Sequence, residues 1–89
     1  MKICKKFVLK NELGLHARAA AHMVKVSEKY KVRILIEKNG MKADGSSILD
    51  ILTLACPKGS DLTIQAEGID AREAMKELQE LIENKFGEM

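Results

Sequence analysis

The sequence predicts an α+β domain in which an antiparallel sheet is covered by helices on one side only. Two observations carry that class. The patterned segments follow the order β-α-β-β-α-β-α, and each strand alternates so that one face is apolar and the other wet, as an antiparallel sheet with a single covered face requires. Length supplies a third: 89 residues make one domain, with enough core to fold alone and little to spare. No internal repeat, linker or low-complexity tract divides residues 1–89.

Residues 2 to 10 read as the first strand, with Ile3, Phe7 and Leu9 on one parity and Lys6 and Lys10 on the other. Cys4 and Val8 interrupt the polar face. A polar turn, Asn11-Glu12-Leu13-Gly14, leads to a helix over about 17 to 30. Ala20, Met23, Val24 and Ser27 fall at helical spacing, and Lys25, Glu28 and Lys29 form the wet side. His22 lies inside this helix, away from its positive end, and reads as structural or solvent-facing.

Val32 to Glu37 is the clearest strand, with Val32, Ile34 and Ile36 inward. Asn39-Gly40 is a two-residue hairpin signal that returns the chain through a short strand over 41 to 44. Gly45-Ser46-Ser47 opens a second helix, and Ser47 with Asp50 resembles a capping box in which Asp replaces the usual Glu or Gln. Ile48, Leu49, Ile51, Leu52 and Leu54 follow and make this helix apolar on more than one face. Such a surplus fits a docking surface and equally a well-buried helix.

Cys56-Pro57-Lys58-Gly59 stops the helix. Asp61 to Glu67 is the last strand, with Leu62, Ile64 and Ala66 inward and Thr63 and Gln65 outward. After a Gly68-Ile69 turn, Asp70 with Glu73 looks like the cap of a final helix, whose apolar positions 71, 74, 75, 78, 81 and 82 form one stripe. Lys76, Glu77, Glu80 and Glu83 are its solvated face.

Composition excludes several classes. The 15 basic and 13 acidic residues give a net charge of +2, too balanced for nucleic acid or an anionic membrane as the main partner. Two Phe, one Tyr and no Trp offer no base-stacking platform. No segment approaches the ~20 apolar residues that span a bilayer, and Met1 to Lys6 lack the apolar run of a signal peptide. The expectation is a cytoplasmic protein without membrane insertion. Cys4 and Cys56 are then expected as free thiols. With His16 and His22 they show no ligand-like spacing, so no metal is expected.

The chemistry gathers at Gly14-Leu15-His16-Ala17-Arg18-Ala19-Ala20. His16 falls at the start of the first helix, where the opening N–H groups lack helical partners and the dipole is positive. Such a site attracts an anion, and Arg18 adds a forked cation suited to phosphate oxygens. A neutral imidazole is a nucleophile near pH 7. Nucleophile and anion site coincide, which suggests a histidine that carries a phosphoryl group. The plainer alternative is a surface histidine or a helix cap.

Gly14-Leu15-His16-Ala17-Arg18 resembles the active-site signature of the HPr family, the histidine-containing phosphocarriers of the bacterial phosphotransferase system. Asn39-Gly40, Gly45-Ser46-Ser47-Ile48-Leu49, Lys58-Gly59 and Ala66-Glu67-Gly68 extend the resemblance over nearly the whole chain. It implies an open-faced β-sandwich of four strands and three helices, active as a monomer and without a cofactor. It implies that His16 is phosphorylated on Nδ1 by enzyme I, the phosphoenolpyruvate-dependent donor. The N–H groups of Ala17 and Arg18 and the Arg18 guanidinium would hold the phosphate, and a histidine of an enzyme IIA-type protein would accept it. The chain would thus be a carrier rather than an enzyme.

The same resemblance makes Ile48, Leu49, Ile51 and Leu52 the docking residues, and Ser47 the target of an HPr serine kinase. Three positions depart from the family pattern: Ala19 stands where proline is usual, Ser46 where lysine is common, and Asp50 where glycine is frequent. Alanine is the best helix former, so the first departure is expected to be tolerated. The last would set a carboxylate against a phosphoserine, and Ser47 reads equally as a simple N-cap. Other classes remain: a regulator in a nitrogen-type branch acting through its phosphorylation state, a small nucleic-acid-binding domain, or a free-standing enzyme. The mixed charge disfavours the second. The lack of a nearby general base, a metal motif or a Gly-rich nucleotide loop disfavours the third.

Overall fold

All seven expected elements form, in the expected order, in a computed structural model that describes residues 1–88. They are β1 (Lys2–Val8), α1 (Ala17–Lys29), β2 (Arg33–Lys38), β3 (Met41–Asp44), α2 (Ile48–Leu52), β4 (Asp61–Glu67) and α3 (Ala71–Glu83). A short 3-10 turn, Lys85–Gly87, follows α3 and was not expected from periodicity. Every neighbouring pair in the sheet is antiparallel, and the strand order is β1-β4-β2-β3.

Register decides which side chains meet the helices. Ile3 faces Ala66, Lys5 faces Ile64 and Phe7 faces Leu62 across β1 and β4, while Ile34 faces Ala66 and Ile36 faces Ile64 across β2 and β4. Residues directly opposite share a face, so this set forms one apolar layer, and Ile34, Ile36, Leu62, Ile64 and Ala66 are buried in it. Against it pack Ala20, Met23 and Val24 of α1 and Ala71, Ala74, Met75, Leu78 and Ile82 of α3. Lys5 falls on this covered face, yet β1 is an edge strand. Lys5 is exposed there, and its Nζ donates to Gln79 Oε1 of α3 at 2.9 Å. The other face, with Cys4, Lys6 and Val8 exposed, carries no helix.

The hairpin turns as expected, with Asn39 at φ 51° and Gly40 at φ 82°. Left-handed backbone at both central positions matches the right-handed twist of the strands they join. β1 stops at Val8 rather than residue 10 because Leu9 pairs instead with the loop ahead of β4. Its N–H donates to Ser60 O at 3.0 Å and its carbonyl accepts from Gly59 N at 2.8 Å.

Three local expectations need correction. Ser47 Oγ accepts the Asp50 N–H at 3.1 Å, but Asp50 does not reach back. The Ser47 N–H already donates to Asp44 O at 3.1 Å, and Asp50 Oδ2 accepts from the Asp44 N–H at 2.9 Å, so the capping box is one-sided. Asp70 sits at the N-cap position of α3 without a side-chain cap, because its Oδ2 accepts the Lys31 N–H at 2.8 Å. Glu77 is not simply solvated: Oε1 accepts from Lys29 Nζ at 2.9 Å and from Tyr30 Oη at 2.8 Å, fastening α3 to the end of α1. Cys4 is exposed, Cys56 is buried, and both are free thiols. Among the described residues no helix is long and apolar enough to cross a membrane.

Candidate functional site: a histidine at the opening of a helix

The loop that presents His16 is built from buried parts. Asn11 is 1% exposed, and its Nδ2 donates to Gly14 O at 2.7 Å and to Glu88 Oε2 at 2.5 Å. Both partners only accept, so the amide must turn its nitrogen toward them. The Gly14 N–H closes the turn on Asn11 O at 3.2 Å. Gly14 is at φ +62°, and a Cβ there would lie 2.2 Å from Cys56 O and 2.8 Å from Pro57 Cα. Glycine is therefore required twice, for its backbone region and for the closeness of the neighbouring chain. One residue on, the Leu15 N–H donates to the same Cys56 O at 2.8 Å. Segment 56–60 thus supports the loop at both ends.

His16 is the N-cap residue of α1, extended at φ −79° and ψ 179°, and its side chain does not cap. Its carbonyl accepts the Ala20 N–H at 2.9 Å, which leaves the N–H groups of Ala17, Arg18 and Ala19 ahead of the first helical bond. The imidazole is 24% exposed and turns Nδ1 toward Gly14 O, 3.1 Å away. No acidic residue occupies the first turn. Arg18 is exposed and takes part in none of the ion pairs among the described residues. The helix starts at Ala17 although alanine replaces proline at position 19, where Ala19 is fully buried.

One side chain at this site was not expected. Glu88 Oε1 accepts the Leu13 N–H at 3.3 Å, and Oε2, bound by Asn11, lies 3.7 Å from His16 Nδ1. The Asn11 hydrogen bond, with smaller help from the Leu13 N–H and His16, holds the Glu88 carboxyl below the usual carboxylate range, against the upward push of burial. Lys85 and Phe86, both at φ 54°, turn the chain back toward the loop, and Phe86 is buried in the core. An apolar residue just past the α3 stripe, at Phe86, is the one sequence signal of this turn.

The second helix divides its apolar residues between two roles. Leu49 is 78% exposed and Ile48 38%, while Leu52 is half-buried. Ile51 is fully buried among the core residues and has no surface to offer a partner. It is therefore removed from the docking set, because α2 packs on α1 and β3 and must bury one side. Leu13, 64% exposed in the His16 loop, was not among the expected docking residues. Ser47 is half-buried and caps α2. His22 is half-buried within α1. Among the described residues no three His, Cys, Asp or Glu side chains gather as a metal site.

A four-stranded antiparallel sheet with three helices and a partly exposed imidazole at a helix opening defines a class of small open-faced β-sandwiches. Residues 3–84 match the family model described as the PTS HPr component phosphorylation site. Phosphocarrier protein HPr of Pseudomonas aeruginosa is 43% identical over 79 residues, 88% of this chain and 88% of that protein. The protein of the same name from Cupriavidus necator is 40% identical over 78 residues, again 88% of each chain. Among solved structures, HPr-C-His from Thermoanaerobacter tengcongensis superposes with a TM-score of 0.92 at 40% identity, covering 98% of both chains. A second structure from that organism, an HPr dimer, matches at a TM-score of 0.77. The chain belongs to the HPr family of phosphotransferase-system phosphocarriers.

Proposed function

We propose that this protein accepts a phosphoryl group on His16 Nδ1 from the phosphohistidine of enzyme I and passes it to a histidine of an enzyme IIA-type protein. The observation that carries the reading is the coincidence, at the start of α1, of a partly exposed imidazole with three N–H groups that have no helical partner. A phosphoryl group on this ring meets the positive end of the helix, a favourable interaction of about 0.3–2 kcal/mol, and Arg18 supplies a charge that no other described ion pair uses. The chain's part in the step is positioning and charge stabilisation, as in phosphoryl transfer generally. Leu13, Ile48, Leu49 and Leu52 supply the apolar surface against which donor and acceptor dock in turn. In this reading the protein works in the cytoplasm as a single chain, without a cofactor.

The test is phosphorylation by phosphoenolpyruvate and enzyme I, read by intact mass, with His16→Ala beside the wild type. One acid-labile phosphate on the wild type and none on the variant is the expected result. A folded wild type that takes no phosphate from its host's enzyme I would refute the carrier reading and leave a binding-only regulator as the leading account.

A further inference from the structure

We propose that Glu88 is a positioning residue that keeps the phosphoryl group on His16 easy to give away, an inference that rests on the carrier reading above. His16 Nδ1 faces two oxygens, Gly14 O at 3.1 Å and Glu88 Oε2 at 3.7 Å. A ring nitrogen is held by an oxygen acceptor only through an N–H, so this resting geometry places the ring proton on Nδ1. Transfer needs the opposite arrangement. The proton must leave Nδ1 to solvent, with Nε2 carrying the ring's proton, before the Nδ1 lone pair can bond to phosphorus. As that bond forms, the bond from phosphorus to the donor's histidine nitrogen breaks, and its electron pair stays on that nitrogen.

The phosphorylated ring cannot keep Nδ1 against the Gly14 carbonyl, and its phosphate carries negative charge beside the Glu88 carboxylate. Glu88 is not free to withdraw. Asn11 Nδ2 and the Leu13 N–H hold both its oxygens, and Phe86 anchors the turn before it in the core. Two successive non-glycine residues in the left-handed region, Lys85 and Phe86, are conformations that persist only where surrounding contacts impose them. Among the described residues the other charges around the loop are Arg18 on α1, Lys85 in the C-terminal turn, and Glu12, whose carboxylate is paired with Lys58 Nζ at 2.6 Å. Glu88 is, among the described residues, the acid that reaches Nδ1. Its charge favours the unphosphorylated Nδ1–H form and opposes the phosphorylated one, which raises the tendency of the carrier to discharge.

The test compares wild type, Glu88→Gln and Glu12→Gln in two measurements. Nitrogen-15 NMR of the unphosphorylated protein reads which ring nitrogen of neutral His16 carries the proton. The phosphoryl-exchange equilibrium with enzyme I reads the stability of the phosphorylated form. Glutamine keeps an oxygen for Asn11 and removes the charge. We expect Glu88→Gln to move the proton population toward Nε2. It should also shift the equilibrium toward the phosphorylated carrier by about fivefold, the factor that ~1 kcal/mol of like-charge repulsion gives. Glu12→Gln should change neither.

Raising salt, which screens exposed charges, should move the wild-type equilibrium toward that of Glu88→Gln, and this arm needs no variant to fold. Equal equilibria in wild type and Glu88→Gln, no salt response in the wild type, or the same shift from Glu12→Gln would each overturn the role of Glu88. A wild type that takes no phosphate at all is instead the failure of the carrier reading.

Discussion

Gly14→Ala is the most informative single change at this site, because its cost can be worked out and a matched control exists. Alanine at φ +62° is forced into left-handed backbone, which costs about 1–2 kcal/mol. Its Cβ would stand 2.2 Å from Cys56 O, with Pro57 Cα and C also inside 3 Å. Those are backbone atoms, so no side chain can swing aside, and one of the two segments must move. Such overpacking costs about 1–3 kcal/mol. The same movement stretches the hydrogen bond from the Leu15 N–H to Cys56 O, worth about 1 kcal/mol.

The sum for Gly14→Ala is about 3–6 kcal/mol, a large part of the roughly 5–15 kcal/mol that holds a domain together. Gly40 is the control: it is at φ +82° with nothing within 4 Å of its Cβ position, so Gly40→Ala carries the backbone strain alone, about 1–2 kcal/mol. Urea denaturation of the two variants, extrapolated linearly to water, measures the difference. Losses equal within about 0.5 kcal/mol, the scatter between independent sites, would refute the reasoning, for the clash with segment 56–60 would then count for nothing.

Two further outcomes follow from contacts away from His16. Ser47→Ala removes the acceptor for the Asp50 N–H and should lower stability by about 1 kcal/mol, read as a fall in melting temperature. Because the box is one-sided, Asp50→Asn should leave that cap intact, and a loss as large as that of Ser47→Ala would sink the assignment. Glu77 has its folded-state pKa lowered by hydrogen bonds from Lys29 and Tyr30, against a smaller upward push from burial. A depressed carboxyl contributes stability that is fully present above its unfolded pKa, about 4.3, and that disappears as pH falls through the folded value. Urea midpoints measured downward from about pH 6 to pH 3 should therefore converge for wild type and Glu77→Gln. Parallel curves over that window would show that the Lys29–Glu77–Tyr30 cluster contributes nothing through charge.

What the sequence made legible, and what it did not, follows from the range over which each feature is determined. The β2 alternation, the Asn39-Gly40 turn and the α3 stripe are set by a few neighbouring residues, and the structure places them as read. The position of His16 and Arg18 at the start of α1 was legible for the same reason: glycine, imidazole and helix start are consecutive in the sequence. A five-residue helix such as α2 is too short to reveal its period, and Ile51 could not be told from Leu49 until α1 and β3 covered one side. Asp50 and Asp70 carry the right side chains for caps at the right spacing. Each is drawn instead to a backbone N–H outside its helix, at Asp44 and Lys31, and spacing within a helix cannot show such a competitor.

Glu88 is the extreme case, 77 positions from the asparagine that holds it. No pattern links the two, and only the course of α3 along the sheet and the left-handed turn at Lys85 and Phe86 bring them together. The division has a physical basis. A nucleophile and its anion site can be written into one turn of chain, because consecutive backbone N–H groups already point the same way. An opposing charge cannot be written there, because within the first turn it would cancel the positive helix end that attracts an anion. It has to arrive from a distant segment, held at the side of Nδ1 rather than at the opening of α1. On the proposed carrier reading, that placement would set one histidine in a field that welcomes a phosphate and beside a charge that hastens its departure.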